Sequence, residues 1–532
     1  MSVITSIDEC SNTAEIFVQH ATRKANTNAL VLADGTSYTF GELSREVSGI
    51  QEFLKEQNLK AGSRVLVLVP IDLEFYKLLL GLFSSAMTVV FVDPGMGLKK
   101  MFDAIKVAEV DAVVSIDKFL SLRWFKKDLR RLKLFSLTNT GMGKIHLKPA
   151  SSKGSLTVEP RGSDNTPTLV SFTSGTTGQP KGANRTQSLL KAQMKALINQ
   201  SSLDNESIVH MTSLPVVVLH NLTVGETSVI PDGDIAKPGS IDPFKILNQI
   251  QRHQVTRLSA APAFLTRISE WLKAHPEDIA KTRTLQEIVV GGAPVYSRLL
   301  RSFQQTIPHV EIKVIYGSTE AEPISSIDGG DVLTKINRSQ SGYCVGQIIK
   351  ETSLILARLP QKIPHNGLPQ PLTDYEVQRG EVGEILVAGD HVLKSYVNHD
   401  EANHNTKIPH NGEIWHRTGD LAYQDAEGNL WLQGRGGDEV YVHQKPVYPF
   451  AIEAAINDLD CVEHSALIQP DINSTPTLFL TIRGQWDVAK QSKVLAAMAD
   501  LGIPSVHHQV IDEMPLDNRH NSKILRTQLK QR

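Results

Sequence analysis

A glycine- and hydroxyl-rich stretch at residues 173–182 (TSGTTGQPKG) has the side chains of a phosphate-binding loop. It follows an apolar run at residues 168–172 (TLVSF), which predicts a strand. Glycines allow a tight turn whose N–H groups face a ligand, and the hydroxyls and Lys181 supply further donors. A flexible linker is the alternative, although Pro180 would stiffen it. Because the spacing G-x-x-x-x-G-K-[ST] is absent, we predict a polyphosphate-binding loop unlike that of the common nucleotide triphosphatases.

The loop lies within a predicted alternation of helices and strands. Continuous apolar runs at residues 64–70 and 88–92 predict strands that are buried on both faces. Thr39, with Glu42 three residues later, predicts a capping box at the start of a helix. The alternation resumes over residues 242–315. Such a pattern predicts an α/β fold with a parallel sheet and right-handed crossovers.

Two further predicted strands end in turns that suit ligand binding. One turn comprises residues 291–294 (GGAP), and the other comprises residues 316–320 (YGSTE). In open α/β sheets, ligands bind beyond the carboxyl ends of the strands. We therefore predict a nucleotide site at these two turns and the phosphate loop.

The pattern changes after Gly342 to short strand-like runs separated by turn residues, which predicts a mainly β subdomain. Residues 434–438 (GRGGD) break this pattern and predict a hinge. The remaining residues have the length of one small domain and alternate helix with strand. We therefore predict an N-terminal domain over residues 1–433, a hinge over residues 434–438 and a C-terminal domain over residues 439–532.

The composition is that of an ordinary soluble globular protein. A chain of 532 residues exceeds what one hydrophobic core usually supports, so at least two domains are expected. The formal net charge of −2 gives no general reason to expect nucleic-acid binding. Cys10, Cys344 and Cys461 have no paired spacing, which predicts neither a disulfide framework nor a metal site and fits a reducing cytoplasm.

No segment of the sequence predicts a membrane span. The N-terminus lacks the apolar core of a signal peptide, and the longest uncharged apolar run, residues 78–92, is too short to cross a bilayer. We therefore predict a cytoplasmic protein without a transmembrane segment. The basic cluster at residues 123–133 predicts the solvated face of a helix, with a surface for an anionic or membrane partner as the alternative.

Five motifs, in their order along nearly the whole chain, resemble those of the adenylate-forming superfamily of acyl-CoA synthetases, peptide adenylation domains and luciferases. The resemblance implies a large N-terminal domain with α/β sheets and a β subdomain, followed by a small mobile α+β C-terminal domain. The matching motifs are S-G-T-T-G-x-P-K-G at residues 174–182, Y-G-x-T-E at residues 316–320, G-E-x-G-E-I at residues 380–385, T-G-D at residues 418–420, and the hinge motif that opens with Gly434 and Arg435.

The resemblance also implies ATP and Mg²⁺ as cofactors and assigns roles to individual residues. Thr319 would bond the α-phosphate and Glu320 would help to hold Mg²⁺, which prefers carboxylate oxygens. Asp420 would accept the ribose hydroxyls, and Arg435 would reach the ribose or a phosphate. A surface carboxylate is the alternative for both Glu320 and Asp420. Adenine would stack on Tyr316 beside Gly291, Gly292, Ala293 and Gly317, and pyrophosphate would be bound by Thr173, Ser174, Gly175, Thr176, Thr177, Gly178 and Lys181.

The C-terminal tail, residues 515–526, resembles the family motif that carries the catalytic lysine, P-x-x-x-x-G-K-I. The resemblance makes Lys523 the catalytic candidate, because its charge would meet the charge that develops as a carboxylate attacks the α-phosphate. A basic solvated helix start is the alternative. Ser522 stands in place of the usual glycine, and two extra residues separate Lys523 from Pro515.

The tail sequence R-H-N-S-K-I is more specific and resembles the β-lactone synthetases of long-chain olefin biosynthesis. Residues 92–95, 227–232 and 341–346 point the same way. These relatives adenylate a β-hydroxy fatty acid, whose own hydroxyl then displaces AMP and closes the lactone. They work beside a thiolase, a reductase and a lactone decarboxylase, which are the partner enzymes that the resemblance implies.

The region after the hinge differs from that of thioester-forming members, which carry the pattern I-K-x-x-G. Tyr441 and Gln444 occupy the lysine and glycine positions of that pattern. A bulky Gln444 would narrow a thiol tunnel, whereas an internal hydroxyl has a high effective concentration. A long-chain acyl-CoA or acyl-carrier ligase remains the first alternative, and a non-catalytic nucleotide-binding protein is the second.

The acyl pocket is predicted between Leu214 and Gly225, where apolar side chains would suit an aliphatic tail. Leu219 and His220 are the pocket candidates. His220 is more often a packing residue than a catalytic one at such a position. The sequence gives no chain length for the acyl group.

Overall fold

The computed structural model describes residues 3–124, 126–137, 145–146, 154–161, 165–173, 179–203, 208–234, 237–336, 342–471, 473–504, 506–517 and 523–531. The chain forms two compact units. Unit 1 comprises Met1–Asp232, Thr319–Glu322 and Gly389–Ile408, and unit 2 comprises Gly233–Ser318, Pro323–Ala388 and Pro409–Arg532.

The helices and strands are numbered along the chain. The α-helices are α1 Val3–Glu9, α2 Ala14–Arg23, α3 Phe40–Glu56, α4 Leu73–Ser84, α5 Leu98–Val107, α6 Asp117–Leu120, α7 Lys127–Arg130, α8 Gln187–Ile198, α9 Pro215–Val224, α10 Pro243–Arg252, α11 Pro262–Ala274, α12 Ser297–Thr306, α13 Gly329–Lys335, α14 Asp400–Thr406, α15 Pro449–Asn457, α16 Val488–Asp500 and α17 Arg526–Leu529. The strands are β1 Asn28–Val31, β2 Ser37–Thr39, β3 Arg64–Leu68, β4 Thr88–Val92, β5 Ala112–Ser115, β6 Lys133–Ser136, β7 Ile145–His146, β8 Pro167–Thr173, β9 Lys181–Thr186, β10 Val209–Thr212, β11 Thr227–Val229, β12 Arg257–Ala260, β13 Glu287–Gly291, β14 Glu311–Ser318, β15 Ala321–Asp328, β16 Tyr343–Ile348, β17 Ser353–Ala357, β18 Gly383–Ala388, β19 Lys407–His410, β20 Glu413–Gln424, β21 Leu430–Arg435, β22 Val440–Val442, β23 Lys445–Val447, β24 Val462–Ile468, β25 Thr477–Ile482 and β26 His507–Val510.

Unit 1 contains the sheet that carries the phosphate loop. Its strand order is β7-β6-β5-β3-β4-β8-β9, with every neighbouring pair parallel except β8 and β9. The predicted strands at β3 and β4 are confirmed, and helix α4 beside them is buried along most of its length. Thr39 and Glu42 form the predicted capping box at the start of α3. Strands β10, β11, β1 and β2 are neighbours in that order in this unit, and β1 and β2 pair antiparallel.

Unit 2 contains the strand path β17-β18-β20-β21-β16-β15-β14-β13-β12. Strands β12, β13 and β14 are parallel to one another and are connected through helices, as the alternating pattern predicts. Strands β16, β17, β18, β20 and β21 pair antiparallel, as the predicted mainly β region requires. The predicted turn at residues 291–294 begins at the end of β13, whereas the predicted turn at residues 316–320 is shorter than expected, because Tyr316–Ser318 still belong to β14 and only Thr319 and Glu320 form the turn.

Residues 439–532, also in unit 2, have an apolar core of their own. Strands β24, β25 and β26 form a sheet, and helices α15 and α16 contribute to the core cluster that includes Ile452, Leu480 and Met498. Arg298 on α12 contacts residues 439–532. Its guanidinium donates to the backbone carbonyls of Asn457 (2.7 Å), Val462 (2.5 Å) and Glu463 (2.6 Å).

The basic cluster at residues 123–133 is not one continuous helix. Only Lys127–Arg130 form the helix α7, and the chain enters strand β6 at Lys133. The buried side chains of Leu134 and Phe135 draw this end of the cluster into the sheet, so the prediction of a single solvated helix face is wrong there. Among the residues that the structure describes, none of the helices has both the length and the apolarity that a membrane crossing requires.

Candidate active site

The phosphate loop connects two antiparallel strands. Thr173 at the end of β8 is the register partner of Lys181 at the start of β9, so the loop closes a hairpin instead of opening a helix. Lys181 is half-buried at the base of this hairpin. The predicted phosphate ligands Ser174, Gly175, Thr176, Thr177 and Gly178 lie outside the described residues, as does the side chain of Thr173. Their roles stay predictions.

An extended segment at residues 392–397 brings the other unit 1 candidates to this hairpin. On one side, the Val397 amide donates to the Gly182 carbonyl at 2.9 Å. On the other side, the Leu393 amide donates to the Glu320 carbonyl at 2.7 Å. Because the segment lies between Gly182 of the hairpin and Glu320, these two residues lie close together although they are far apart in sequence. The Thr319 carbonyl is held in the same region by Arg185, whose Nη2 donates to it at 3.0 Å.

Three side chains meet at the side chain of Tyr396, and together with it we call them the Tyr396 cluster: Lys181, Glu320, Tyr396 and Lys407. The Tyr396 hydroxyl donates to Glu320 Oε1 at 2.8 Å. The Nζ atoms of Lys181 and Lys407 lie 5.7 Å and 5.0 Å from the centre of the same ring. Tyr396 is buried and Glu320 is half-buried. Two lysine amino groups therefore lie over the ring of Tyr396, and one carboxylate accepts a hydrogen bond from its hydroxyl.

Lys407 is an unusual member of this cluster because its side chain is buried, with 7% of its surface exposed. Its Nζ donates to the Leu393 carbonyl at 2.5 Å. Burial lowers the pKa of Lys407 from its usual 10.5 to about 7, against the attraction of Glu320 and with the repulsion of Lys394 and Lys181. Sequence reasoning missed Lys407 and Tyr396, since neither lies in a motif of distinctive composition.

The Tyr396 cluster fits a nucleotide-bound magnesium ion. Such an ion takes one or two protein carboxylates together with substrate phosphates and waters, so a single Glu320 beside Lys181 suffices. No group of three or more His, Cys, Asp or Glu side chains forms a dedicated metal site in the described part of the chain. Glu320 is therefore the carboxylate of this cluster that could contact such an ion.

A second cluster, in unit 2, joins the Y-G-x-T-E and T-G-D motifs. The Tyr316 hydroxyl donates to Asp420 Oδ2 at 2.7 Å, and Arg435 Nη1 donates to Asp420 Oδ1 at 3.0 Å. Asp420 on β20 and Arg435 on β21 are register partners, which explains their contact. Burial and the charge of Asp420 raise the pKa of Tyr316 well above its usual range, so the phenol stays protonated. The structure thus brings three predicted nucleotide-binding residues together as the Asp420 cluster.

The glycines at the end of β13 are required by their surroundings. A Cβ atom on Gly291 would lie 2.5 Å from the carbonyl oxygen of Ile315 on the neighbouring β14. Gly292 has a φ of 81°, a conformation that side chains disfavour. Ala293 follows in this turn, and Gly317 follows Tyr316 within β14. The turn therefore brings bare backbone to the carboxyl ends of β13 and β14.

Lys523 lies in the C-terminal tail, where residues 523–525 pair with residues 515–517. Its backbone N–H donates to Asp517 Oδ1 at 2.8 Å, its carbonyl accepts from the Asp517 amide at 2.8 Å, and Leu516 pairs with Ile524. The Lys523 side chain is exposed, and no hydrogen bond within the described residues joins it to the Asp420 cluster. Its catalytic role stays a prediction.

Comparison with known proteins decides the family. The model of the AMP-binding enzyme family matches residues 17–397. This chain belongs to that family. Nearly the whole chain is also similar to an olefin β-lactone synthetase of Stenotrophomonas maltophilia K279a, with 27% identity over 97% of this chain and 94% of the relative. An olefin β-lactone synthetase of Xanthomonas campestris pv. campestris is 27% identical over 92% and 90% of the two chains. The indoleacetate–CoA ligase of Aromatoleum aromaticum is 28% identical over 58% and 56%.

Solved structures support the fold. An amide bond synthetase from Marinactinospora thermotolerans superimposes with a TM-score of 0.75 at 20% identity, covering 98% of this chain and 99% of the other. An O-succinylbenzoate coenzyme A synthetase from Bacillus subtilis, in complex with ATP and magnesium ion, has a TM-score of 0.75 at 21% identity and covers 97% and 99%. The predicted adenylate-forming fold and the predicted resemblance are confirmed, and the protein is an AMP-forming ligase.

Gln444 occupies a position that favours glycine in this AMP-binding enzyme. His443 and Gln444 have φ values of 48° and 62° and form the two-residue turn between β22 and β23. A glycine adopts this left-handed conformation without steric strain, whereas other residues adopt it uncommonly. The Gln444 side chain is exposed at the tip of the hairpin. Its effect on a thiol tunnel stays a prediction.

The predicted acyl-pocket residues lie on helix α9. Leu219 packs against the large apolar core of unit 1, and His220 beside it is half-buried. Gly225 ends the helix in the left-handed conformation. The assignment of these residues to an acyl pocket stays a prediction.

Proposed function

We propose that this AMP-binding enzyme converts a β-hydroxy fatty acid and ATP into a β-lactone, AMP and pyrophosphate. The main observation in support of this proposal is the similarity of almost the whole chain to two olefin β-lactone synthetases. The R-H-N-S-K-I tail and the replaced glycine at Gln444 support the same assignment.

In the first step, the substrate carboxylate attacks the α-phosphate and pyrophosphate leaves. Lys181 and the neighbouring loop would bind the departing phosphates, and Asp420 would hold the ribose. Glu320 would hold Mg²⁺, which when bound neutralises phosphate charge. Lys523 would approach the α-phosphate through a movement of residues 439–532 about the hinge at residues 434–438.

In the second step, the β-hydroxyl oxygen attacks the acyl carbon of the adenylate. The new carbon–oxygen bond closes the four-membered ring, the bond to the phosphate oxygen breaks, AMP leaves and the hydroxyl proton passes to solvent. An internal nucleophile needs no second substrate, because its effective concentration is high. Thus the chemistry requires no thiol acceptor.

The test is product analysis with ATP, Mg²⁺ and a long-chain β-hydroxy acid, without coenzyme A. We expect the lactone, or the alkene formed by its decarboxylation, together with one AMP per product. Strict dependence on coenzyme A would overturn the proposal. ATP–pyrophosphate exchange tests the first step alone, and an absence of exchange with every candidate acid would favour a non-catalytic nucleotide-binding protein.

The second candidate is a fatty acyl-CoA or acyl-carrier ligase, which the similarity to a CoA ligase favours. It shares the adenylation step and differs only in the acceptor. A plain fatty acid supplied with coenzyme A distinguishes the two, since a thioester product supports the ligase and a lactone synthetase forms none.

The proposed lactone product implies partner enzymes. A thiolase and a reductase would supply the β-hydroxy acid, and a lactone decarboxylase would consume the lactone. A cytoplasmic location would fit such a pathway.

A further inference from the structure

The ammonium group of Lys407 is buried at a position where an apolar side chain would cost less free energy. Removing a charge from water is costly unless it is paired or hydrogen-bonded. Lys407 has a hydrogen bond to the Leu393 carbonyl, and its ammonium group lies 5.0 Å from the centre of the Tyr396 ring. Glu320 is the negative charge that favours its protonated form. The ammonium group is therefore placed where it acts on the carboxylate of the proposed magnesium site.

A short relay connects Lys407 to that carboxylate. In its protonated form, Lys407 attracts the electron-rich face of the Tyr396 ring. The hydroxyl of the same ring donates to Glu320 Oε1 at 2.8 Å. Since Leu393 also donates its amide to the Glu320 carbonyl, the residue that Lys407 anchors is itself joined to Glu320. The first connection fixes the carboxylate of Glu320, and the second fixes its backbone.

We propose that Lys407 is a positioning residue, which fixes Tyr396 and through it aims the Glu320 carboxylate at the magnesium ion of a bound nucleotide. This inference rests on the nucleotide-binding part of the proposed function and adds a residue that acts through others. Groups that orient a metal ligand commonly change metal affinity or activity by about 10- to 100-fold when they are removed.

The experiment measures binding, so that it does not depend on turnover. Isothermal titration calorimetry is run with α,β-methylene-ATP, which cannot release pyrophosphate, once with saturating Mg²⁺ and once with EDTA. The variants are Lys407→Met, Tyr396→Phe and their double mutant. Lys394→Met is the matched control, because Lys394 is exposed and donates to the Gly389 carbonyl of the same region.

With Mg²⁺, we expect each single variant to bind the nucleotide about 10-fold more weakly. The double mutant should match the single variants within about twofold, because both changes interrupt one relay. In EDTA, the variants should bind like the wild type, which a general loss of structure would not allow. Additive effects, or equal weakening in EDTA, would overturn the inference. If Lys407→Met fails to fold, Tyr396→Phe tests the relay with its ring intact.

The outcomes also separate this inference from the proposed function. If the wild type binds the nucleotide but shows no exchange with any acid, the proposed function fails while the mutant cycle still decides the role of Lys407. If lactone forms and the cycle is additive, the proposed function stands and the inference fails.

Discussion

Replacing Lys407 with methionine should stabilise the metal-free protein, and the gain should depend on pH. The pKa of Lys407 is about 7 in the fold against its usual 10.5. A difference of about 3.5 pH units, at about 1.4 kcal/mol for each unit, corresponds to about 5 kcal/mol of unfavourable burial. Methionine has a similar length and no charge, so Lys407→Met removes this cost.

The direction of this pH dependence follows from the number of protons that the folded and unfolded chains bind. The folded pKa is lowered, so between pH 7 and 10.5 the unfolded chain binds a proton that the folded chain does not. Wild-type stability therefore gains from a rise in pH within this window, and the penalty is fully present below pH 7. Consequently, the advantage of Lys407→Met should be largest at pH 7 and below, and should shrink by about 1.4 kcal/mol per pH unit above it.

Methionine also leaves the Leu393 carbonyl without the Lys407 donor, which costs about 1–3 kcal/mol. This cost does not vary with pH, so the slope of the stability difference is the decisive quantity. Differential scanning calorimetry in EDTA at pH 7, 8 and 9 separates the transitions of a chain with two units. Lys394→Met should give a much shallower slope over the same range, because it removes only one of the repulsions that lower the pKa of Lys407. A flat difference for Lys407→Met would refute the argument that a buried ammonium is being discharged.

Three further predictions concern residues 439–532. Arg526→Met should destabilise this lobe by about 3–5 kcal/mol in urea unfolding, because it strands the buried carboxylate of Glu453, which accepts two 2.7 Å hydrogen bonds from Arg526. Adding Glu453→Gln should recover part of that loss, and no recovery would contradict the pairing argument. Gln444→Gly should leave stability unchanged or slightly higher, because glycine tolerates a φ of 62°. If Gln444 narrows a thiol tunnel, chromatography should also detect new acyl-CoA formation from a plain fatty acid, and its absence would remove that role. Lys523→Ala should slow ATP–pyrophosphate exchange by about 10²- to 10³-fold while nucleotide binding in calorimetry is retained, whereas wild-type exchange rates would exclude Lys523 as the catalytic lysine.

Several parts of the fold were predictable because their causes are local. The capping box at Thr39 needs only a hydroxyl and a carboxylate three residues apart. Strands β3 and β4 follow from unbroken apolar runs. The basic cluster shows where prediction from a local pattern fails. Lys133 begins a strand because the neighbouring Leu134 and Phe135 are buried.

The site was predictable where glycines and motifs mark it. The turn at Gly291 lies where expected, and the reason is the close approach of the Ile315 carbonyl. The contact between Asp420 and Arg435 was not predictable, because it depends on the register of β20 against β21. The hairpin form of the phosphate loop was missed for the same reason, since the partner strand β9 has no alternating apolar pattern.

The sequence by itself determined the family and the order of the site motifs, because glycine sterics and apolar runs act over a few neighbouring residues. Only the tertiary structure decided that Lys407 and Tyr396 belong beside Glu320 and Lys181. A lysine in a polar stretch reads as exposed, and its burial arises when the segment at residues 392–397 pairs between distant strands. The electrostatic interaction of Lys407 with Glu320 therefore depends on that packing.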